Sequence, residues 1–269
     1  MVKDFKKIAE ILPEVIEDIE NSYYGNFSHV NRTYYKSLDT IIDGFNKGEL
    51  ITIAGEKNNF SSLFMLNIAK NCILKGEKPI LLLDFGVPDK YSELLEIIRI
   101  SKDCKYHEIP ITKPVECIYE KIQNFIEIYS DGMVFINGLD QILNDRRFRF
   151  EFKDKLEPLA IKLKNLARKN NIPIVIALNL SMSQRYFRDA YVEIYDLGIY
   201  DAFACYSDKV LTTKVFDYDS QDLRRDFDVR IVKNNNGKNN TLYFGLYQET
   251  QSIIECNYNN NSNKSSVAF

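Results

Sequence analysis

The sequence lacks any Cys-x-x-Cys pair; its five cysteines, Cys72, Cys104, Cys117, Cys205 and Cys256, are odd in number and scattered. That pattern excludes a disulfide framework and a clustered zinc site, and it suits a reducing compartment. Histidine is scarce. His29 and His107 stand alone, neither near a serine or cysteine in a nucleophile arrangement, so both read as structural or surface residues. No apolar run, Ile80 to Leu83 among them, approaches the ~20 residues that cross a bilayer. The start Met1-Val-Lys-Asp-Phe-Lys-Lys7 has no signal-peptide core, so the expected location is the cytoplasm and no membrane partner is expected. Net charge is small: 35 Lys plus Arg against 38 Asp plus Glu leave -3. The global field therefore does not attract phosphate, and any contact with DNA is expected to be weak and local. What is present is 269 residues, 45% of them hydrophobic, enough for one large globular domain. A domain of this length removes roughly 75% of its unfolded surface from water, so its core needs no metal or disulfide.

Residues Phe5 to Tyr24 place Ile8, Ile11, Leu12, Val15, Ile16 and Ile19 at helical spacing, with acids opposite. Further on, Leu38, Ile41 and Ile42 lead to Gly44 and Gly48 as a short helix and turn. Strand and helix then alternate: strands over Glu49 to Gly55, Pro79 to Asp84, Tyr106 to Ile109, Gly132 to Asn137 and Ile172 to Leu178, and helices over Phe60 to Leu74, Lys90 to Ser101, Pro114 to Ile128 and Phe150 to Asn170. Such alternation implies an α/β fold with a mainly parallel twisted sheet and helices on both faces. Lys209 to Phe216, Asp228 to Lys233 and Thr241 to Leu246 read as antiparallel strands added at the C-terminal edge. Residues 257–269, rich in Asn and Ser, read as a disordered tail. The expected organisation is a helical arm over 1–34, one domain over 35–256, and that tail.

In an open parallel sheet, ligands bind at the carboxyl ends of the strands, which singles out Gly55-Glu-Lys-Asn-Asn-Phe-Ser-Ser62. A phosphate loop, G-x-x-x-x-G-K-[ST], needs a second glycine, a lysine and a hydroxyl. Gly55 and Ser62 hold the outer positions, while Phe60 stands at the second glycine and Ser61 at the lysine. The block Thr33-Tyr-Tyr-Lys-Ser-Leu-Asp39, Gly44 and Gly48-Glu-Leu-Ile-Thr-Ile-Ala54 then resembles, without a gap, the opening of the C-terminal, RecA-like domain of DnaB-type replicative helicases. Leu66-Asn-Ile-Ala69, Lys78-Pro-Ile-Leu-Leu-Leu83, Asp196-Leu197, Asp208, Val232-Lys-Asn-Asn-Asn-Gly237 and Thr241 continue the resemblance, which runs from about Leu12 to Glu255. It implies a RecA-like P-loop NTPase fold.

The resemblance also implies which residues would carry chemistry. The catalytic Glu position falls on Gly86, the Walker B Asp on Asn137, the sensor Gln on Asn179 and the arginine finger on Asn235, with the preceding lysine kept as Lys233. The DNA-contacting loop falls on Gly198-Ile-Tyr-Asp201 and lacks its basic residue. Gly55, Lys57, Ser61, Ser62 and Lys233 are what remains of a nucleotide site. Lys57 reads as a solvated loop lysine, with a reach to phosphate as the alternative; Phe60 reads as packed over the emptied site. Asp84 and Asp140 could form a displaced carboxylate pair for magnesium, and read more simply as strand-end and turn acids. The cluster Arg146, Arg147, Arg149, Lys153, Lys155, Lys162, Lys164, Arg168 and Lys169 is interleaved with Glu151, Asp154 and Glu157, as on a solvated, salt-bridged helix. Tyr23, Tyr24, Tyr34 and Tyr35 suit a partner surface. The expected function is a degenerate DnaB-like core without ATP hydrolysis or cofactor, a binding or assembly module that joins itself, a replicative helicase or another replication protein. The alternative is an ATP- and magnesium-dependent helicase, or a DNA-stimulated ATPase, with displaced catalytic residues.

Overall fold

The computed structural model describes residues 31–56, 60–76, 78–85, 98, 101–102, 104–108, 114–141, 154–180, 192–215, 223–235 and 237–256. The arm up to residue 30, with His29, Tyr23 and Tyr24, lies outside the described residues. So do Lys57, Gly86, most of the helix expected over Lys90 to Ser101, the basic residues from Arg146 to Lys153, and the tail. Helix α1 (Lys36–Ile42) leads to strand β1 (Leu50–Glu56), followed by α2 (Ser61–Lys75), β2 (Ile80–Asp84), β3 (Cys104–Glu108), α3 (Pro114–Ile128), β4 (Met133–Asn137), α4 (Leu156–Asn170) and β5 (Ile174–Leu180). After a 3₁₀ segment at Ile194–Tyr200 come α5 (Asp201–Tyr206), β6 (Lys209–Val215), β7 (Arg224–Asn234), β8 (Thr241–Tyr247) and β9 (Ser252–Cys256).

The strands form one sheet in the order β3-β2-β4-β5-β1-β6-β7-β8-β9. The expected mainly parallel sheet is present, with one difference: β6 pairs parallel with β1, Ile51 opposite Lys209, and only its other side meets β7 antiparallel. Every residue of β6 is buried, as suits a strand inside a parallel sheet, and Lys209 and Lys214 gave it a false look of polar alternation. The edge strand β9 carried no sequence signal of its own. Helix α4 begins at Leu156 rather than Phe150, which puts Pro158 in its first turn, where a missing N–H costs nothing.

Alternation along the strands divides the apolar residues into two layers. One contains Ile51, Ile53, Leu82, Phe135 and Val175 with residues of α1 and α2; the other contains Leu50, Ala54, Leu81, Ile136 and Ile176 with residues of α3, α4 and α5. Helices thus cover both faces. Tyr35 belongs to the first layer, stacked on Phe64 at 5.6 Å and edge-on to Phe244 at 5.2 Å, so it serves the core and not a partner. Asn31 bridges Phe45, and Thr33 donates its N–H and hydroxyl to Asp39 Oδ1, both at 2.8 Å, so these residues of the expected arm are bonded into the domain.

Polar groups tie the N-terminal ends of the parallel strands. Asp208 accepts from the Leu50 N–H at 2.8 Å and pairs with Lys164. Fully buried Lys209 pairs with Glu49 at 2.5 Å and donates to the Gly44 carbonyl at 2.9 Å. Burial pulls the Lys209 ammonium below the usual lysine range, against the attraction of Glu49. Several sequence landmarks, Thr33 with Asp39, Glu49 and Asp208, therefore act in folding, at the end of the sheet away from the loop after β1.

Candidate functional site

At the C-terminal ends of the parallel strands, register places Asp84 opposite Asn137 and Gly55 opposite Asn179. Alternation puts all four positions on the face that carries α2. The chain turns from β1 into α2 through Phe60, whose backbone is left-handed (φ 63°, ψ 15°) and whose carbonyl accepts from the Phe64 N–H at 2.7 Å. Glycine enters that region freely, whereas a residue with a Cβ is strained there. The Phe60 ring packs edge-on against Phe227 of β7 at 5.5 Å, with the Arg225 guanidinium 5.7 Å from its centroid. It sits at the margin of the core, where the sequence reading placed it over an emptied site.

Ser61 and Ser62 open α2, both buried. The Ser61 hydroxyl donates to the Leu178 carbonyl at 3.3 Å and to Asn179 Oδ1 at 3.0 Å. Asn179 Nδ2 donates in turn to Ser62 Oγ at 3.2 Å and to Asp140 Oδ1 at 3.1 Å. One strand-end amide therefore gathers both helix hydroxyls and the turn carboxylate into one network. Beside it, Asn137 Nδ2 donates to Asp84 Oδ1 at 3.3 Å, and Asn137 Oδ1 is buried without a hydrogen-bond partner among the described residues.

Asp84 and Asp140 are bonded to different asparagines, and no group of three or more His, Cys, Asp or Glu side chains is placed to hold a metal among the described residues. Lys233 and Asn235 are not part of this site. Lys233 Nζ donates to the Ala204 and Cys205 carbonyls, both at 3.0 Å, capping the last turn of α5. The Asn235 N–H donates to the Asp208 carbonyl at 3.0 Å, which puts both residues at the opposite end of the sheet from Ser61. Gly198 (φ 57°) kinks the 3₁₀ segment, Tyr200 is buried, and Ile199 and Asp201 face outward. Of the basic cluster, Lys162, Arg168 and Lys169 are exposed on α4 while Lys164 pairs with Asp208. His107 lies on edge strand β3, where burial lowers its pKa.

Sequence reasoning missed the link from Asn179 to Asp140 and the place of Arg225 over Phe60. The first could have been suspected from polar residues ending adjacent buried strands. The second depends on β7 beginning at Arg224, where Arg-Arg-Asp hides a strand start.

No family model matches the sequence. A curated protein of Trieres chinensis, described as a probable replicative DNA helicase, is 23% identical over 176 residues, covering 55% of this chain; the chain spans 39% of that protein's length. Among solved structures, the ATPase domain of a DnaB-like replicative helicase matches with a TM-score of 0.75 at 17% identity, covering 94% of this chain and 100% of that one. A second DnaB-like replicative helicase, solved in a study of its interactions with primase, matches with a TM-score of 0.73 at 18% identity over 94% of this chain and 68% of that one. The chain thus has the RecA-like fold of DnaB-type ATPase domains.

Proposed function

We propose that this chain is a degenerate DnaB-like helicase core that does not hydrolyse ATP and serves as a binding or assembly module in DNA replication or a related DNA transaction. The observation that carries this reading is Ser61. It stands where a phosphate loop has its lysine, brings no charge, and spends its hydroxyl on Leu178 and Asn179. A loop lysine holds nucleotide and neutralises the transferring phosphoryl group, and electrostatic stabilisation of that kind is often the largest single contribution to such catalysis. Asn137, at the Walker B position, brings an amide where a carboxylate would orient magnesium, and Asn235 brings no guanidinium to a neighbour's site. These residues do not fit a magnesium nucleotide, and no hydrolytic step is derived through one. Its partners would be a second copy, a replicative helicase or another replication protein, with DNA contact weak. A cytoplasmic location agrees with the absence, among the described residues, of any helix long and apolar enough to cross a membrane.

One feature favours a second reading, an ATP-dependent helicase or DNA-stimulated ATPase with displaced catalytic residues. Phe60 keeps a left-handed backbone where glycine would be expected, and Arg225 brings a cation close to that turn. Steady-state ATPase assays with and without single-stranded DNA separate the two. The first reading expects no turnover above background; turnover abolished by Lys57→Ala or Ser62→Ala establishes the second.

A further inference from the structure

We infer that Asn179 is a built-in lock that takes the place of a ligand, closing the turn at the start of α2 against anions. This rests on the functional reading above and deepens it, since it names the group that occupies the site. The first turn of a helix carries N–H groups without intrahelical partners, and its positive end attracts anions. No side chain caps α2. The hydroxyls of Ser61 and Ser62, which would otherwise turn to an incoming anion, face the Asn179 amide instead, one as donor to its Oδ1 and the other as acceptor from its Nδ2.

The amide is itself held in place. Its backbone sits in β5 in register with Gly55 of β1, and the Asp140 carboxylate accepts from both its Nδ2 at 3.1 Å and its backbone N–H at 3.4 Å. That carboxylate is buried and adds a negative charge, which repels any anion approaching the same hydroxyls. Both amide groups of Asn179 are thus used, so the network closes without a ligand. A neutral, self-satisfied arrangement of this kind keeps the strand ends and α2 joined whether or not nucleotide is present. The domain would then hold one conformation constitutively, as an assembly module requires.

The test compares the unsubstituted chain with Asn179→Ala by thermal unfolding and by amide exchange at Ser61 to Leu63, with pyrophosphate as the probe and sodium chloride at equal ionic strength as the control. The unsubstituted chain is expected to show slow exchange and no pyrophosphate-specific shift up to about 10 mM. Asn179→Ala is expected to melt about 3–8 °C lower, exchange faster at those amides, and recover part of the loss with pyrophosphate but not chloride. Asn179→Ser, small yet still able to meet Asp140, carries the test if the alanine variant does not fold. Folded variants that gain no anion response, or an unsubstituted chain that already responds, overturn the lock. ATP turnover by the unsubstituted chain overturns the functional reading and the lock together, whereas no turnover with unresponsive variants overturns the lock alone.

Discussion

Phe60 holds two opposed effects at one residue. Its left-handed backbone costs about 1–2 kcal/mol for a side chain with a Cβ, while its ring gains about 0.5–1.5 kcal/mol from the edge contact with Phe227 and about 0.5–1 from the Arg225 guanidinium. Phe60→Ala removes the ring and keeps the strain; Phe60→Gly removes both. The glycine variant should therefore be about 1 kcal/mol more stable than the alanine variant in urea denaturation, the reverse of their usual order. Equal stability would mean that the turn is unstrained. At Asn137 the amide is explained by its neighbour, because it donates to buried Asp84 one strand away. Asn137→Asp would set two carboxylates together, and like charges raise the pKa of one of them. A raised folded-state carboxyl pKa means that the folded chain binds more protons than the unfolded one, so stability falls as pH rises above the ordinary carboxylate range. The variant should lose more stability relative to the parent at pH 7.5 than at pH 4.5, and an equal loss at both would contradict the pairing.

Among the elements, α1 is too short to be stable alone and depends on a partner from the far end of the chain. Glu255 of β9 accepts from the backbone N–H groups of Lys36 at 2.9 Å, Ser37 at 2.7 Å and Leu38 at 3.4 Å, doing for the helix what a capping residue does locally. Glu255→Ala should cost about 1–2 kcal/mol in denaturant unfolding, with Glu255→Gln losing less. No loss would show that water replaces the cap. This contact could not be read from sequence, because it joins residues more than two hundred positions apart. Elements with a strong local period were legible: α2, α3 and β1 fall within two residues of their expected bounds. The parallel pairing of β6 was not, since two buried lysines imitate the alternation of a half-exposed strand. For the site, the substituted positions were legible from motif spacing. Their bonding was not, because the link from Ser61 to Asn179 exists only once β5 lies beside β1.

For the whole molecule, the two ends of the sheet divide the work. The N-terminal strand ends hold ion pairs that fix the fold, Lys209 with Glu49 and Lys164 with Asp208, while the C-terminal ends hold a network of amides and hydroxyls. Lys233 and Asn235 lie at the first of these ends and could meet only a neighbouring chain. The central claim is that the fold of a DnaB-type ATPase domain is kept here while its nucleotide chemistry is not. A thermal-shift titration with magnesium and ATP tests it most directly, because a ligand that binds only the folded state adds about 2.7 kcal/mol at a hundred times its Kd, which raises Tm by roughly 5–10 °C for a chain of this length. The account predicts no shift at millimolar nucleotide. A saturable shift of that size, lost in Ser62→Ala, would contradict it.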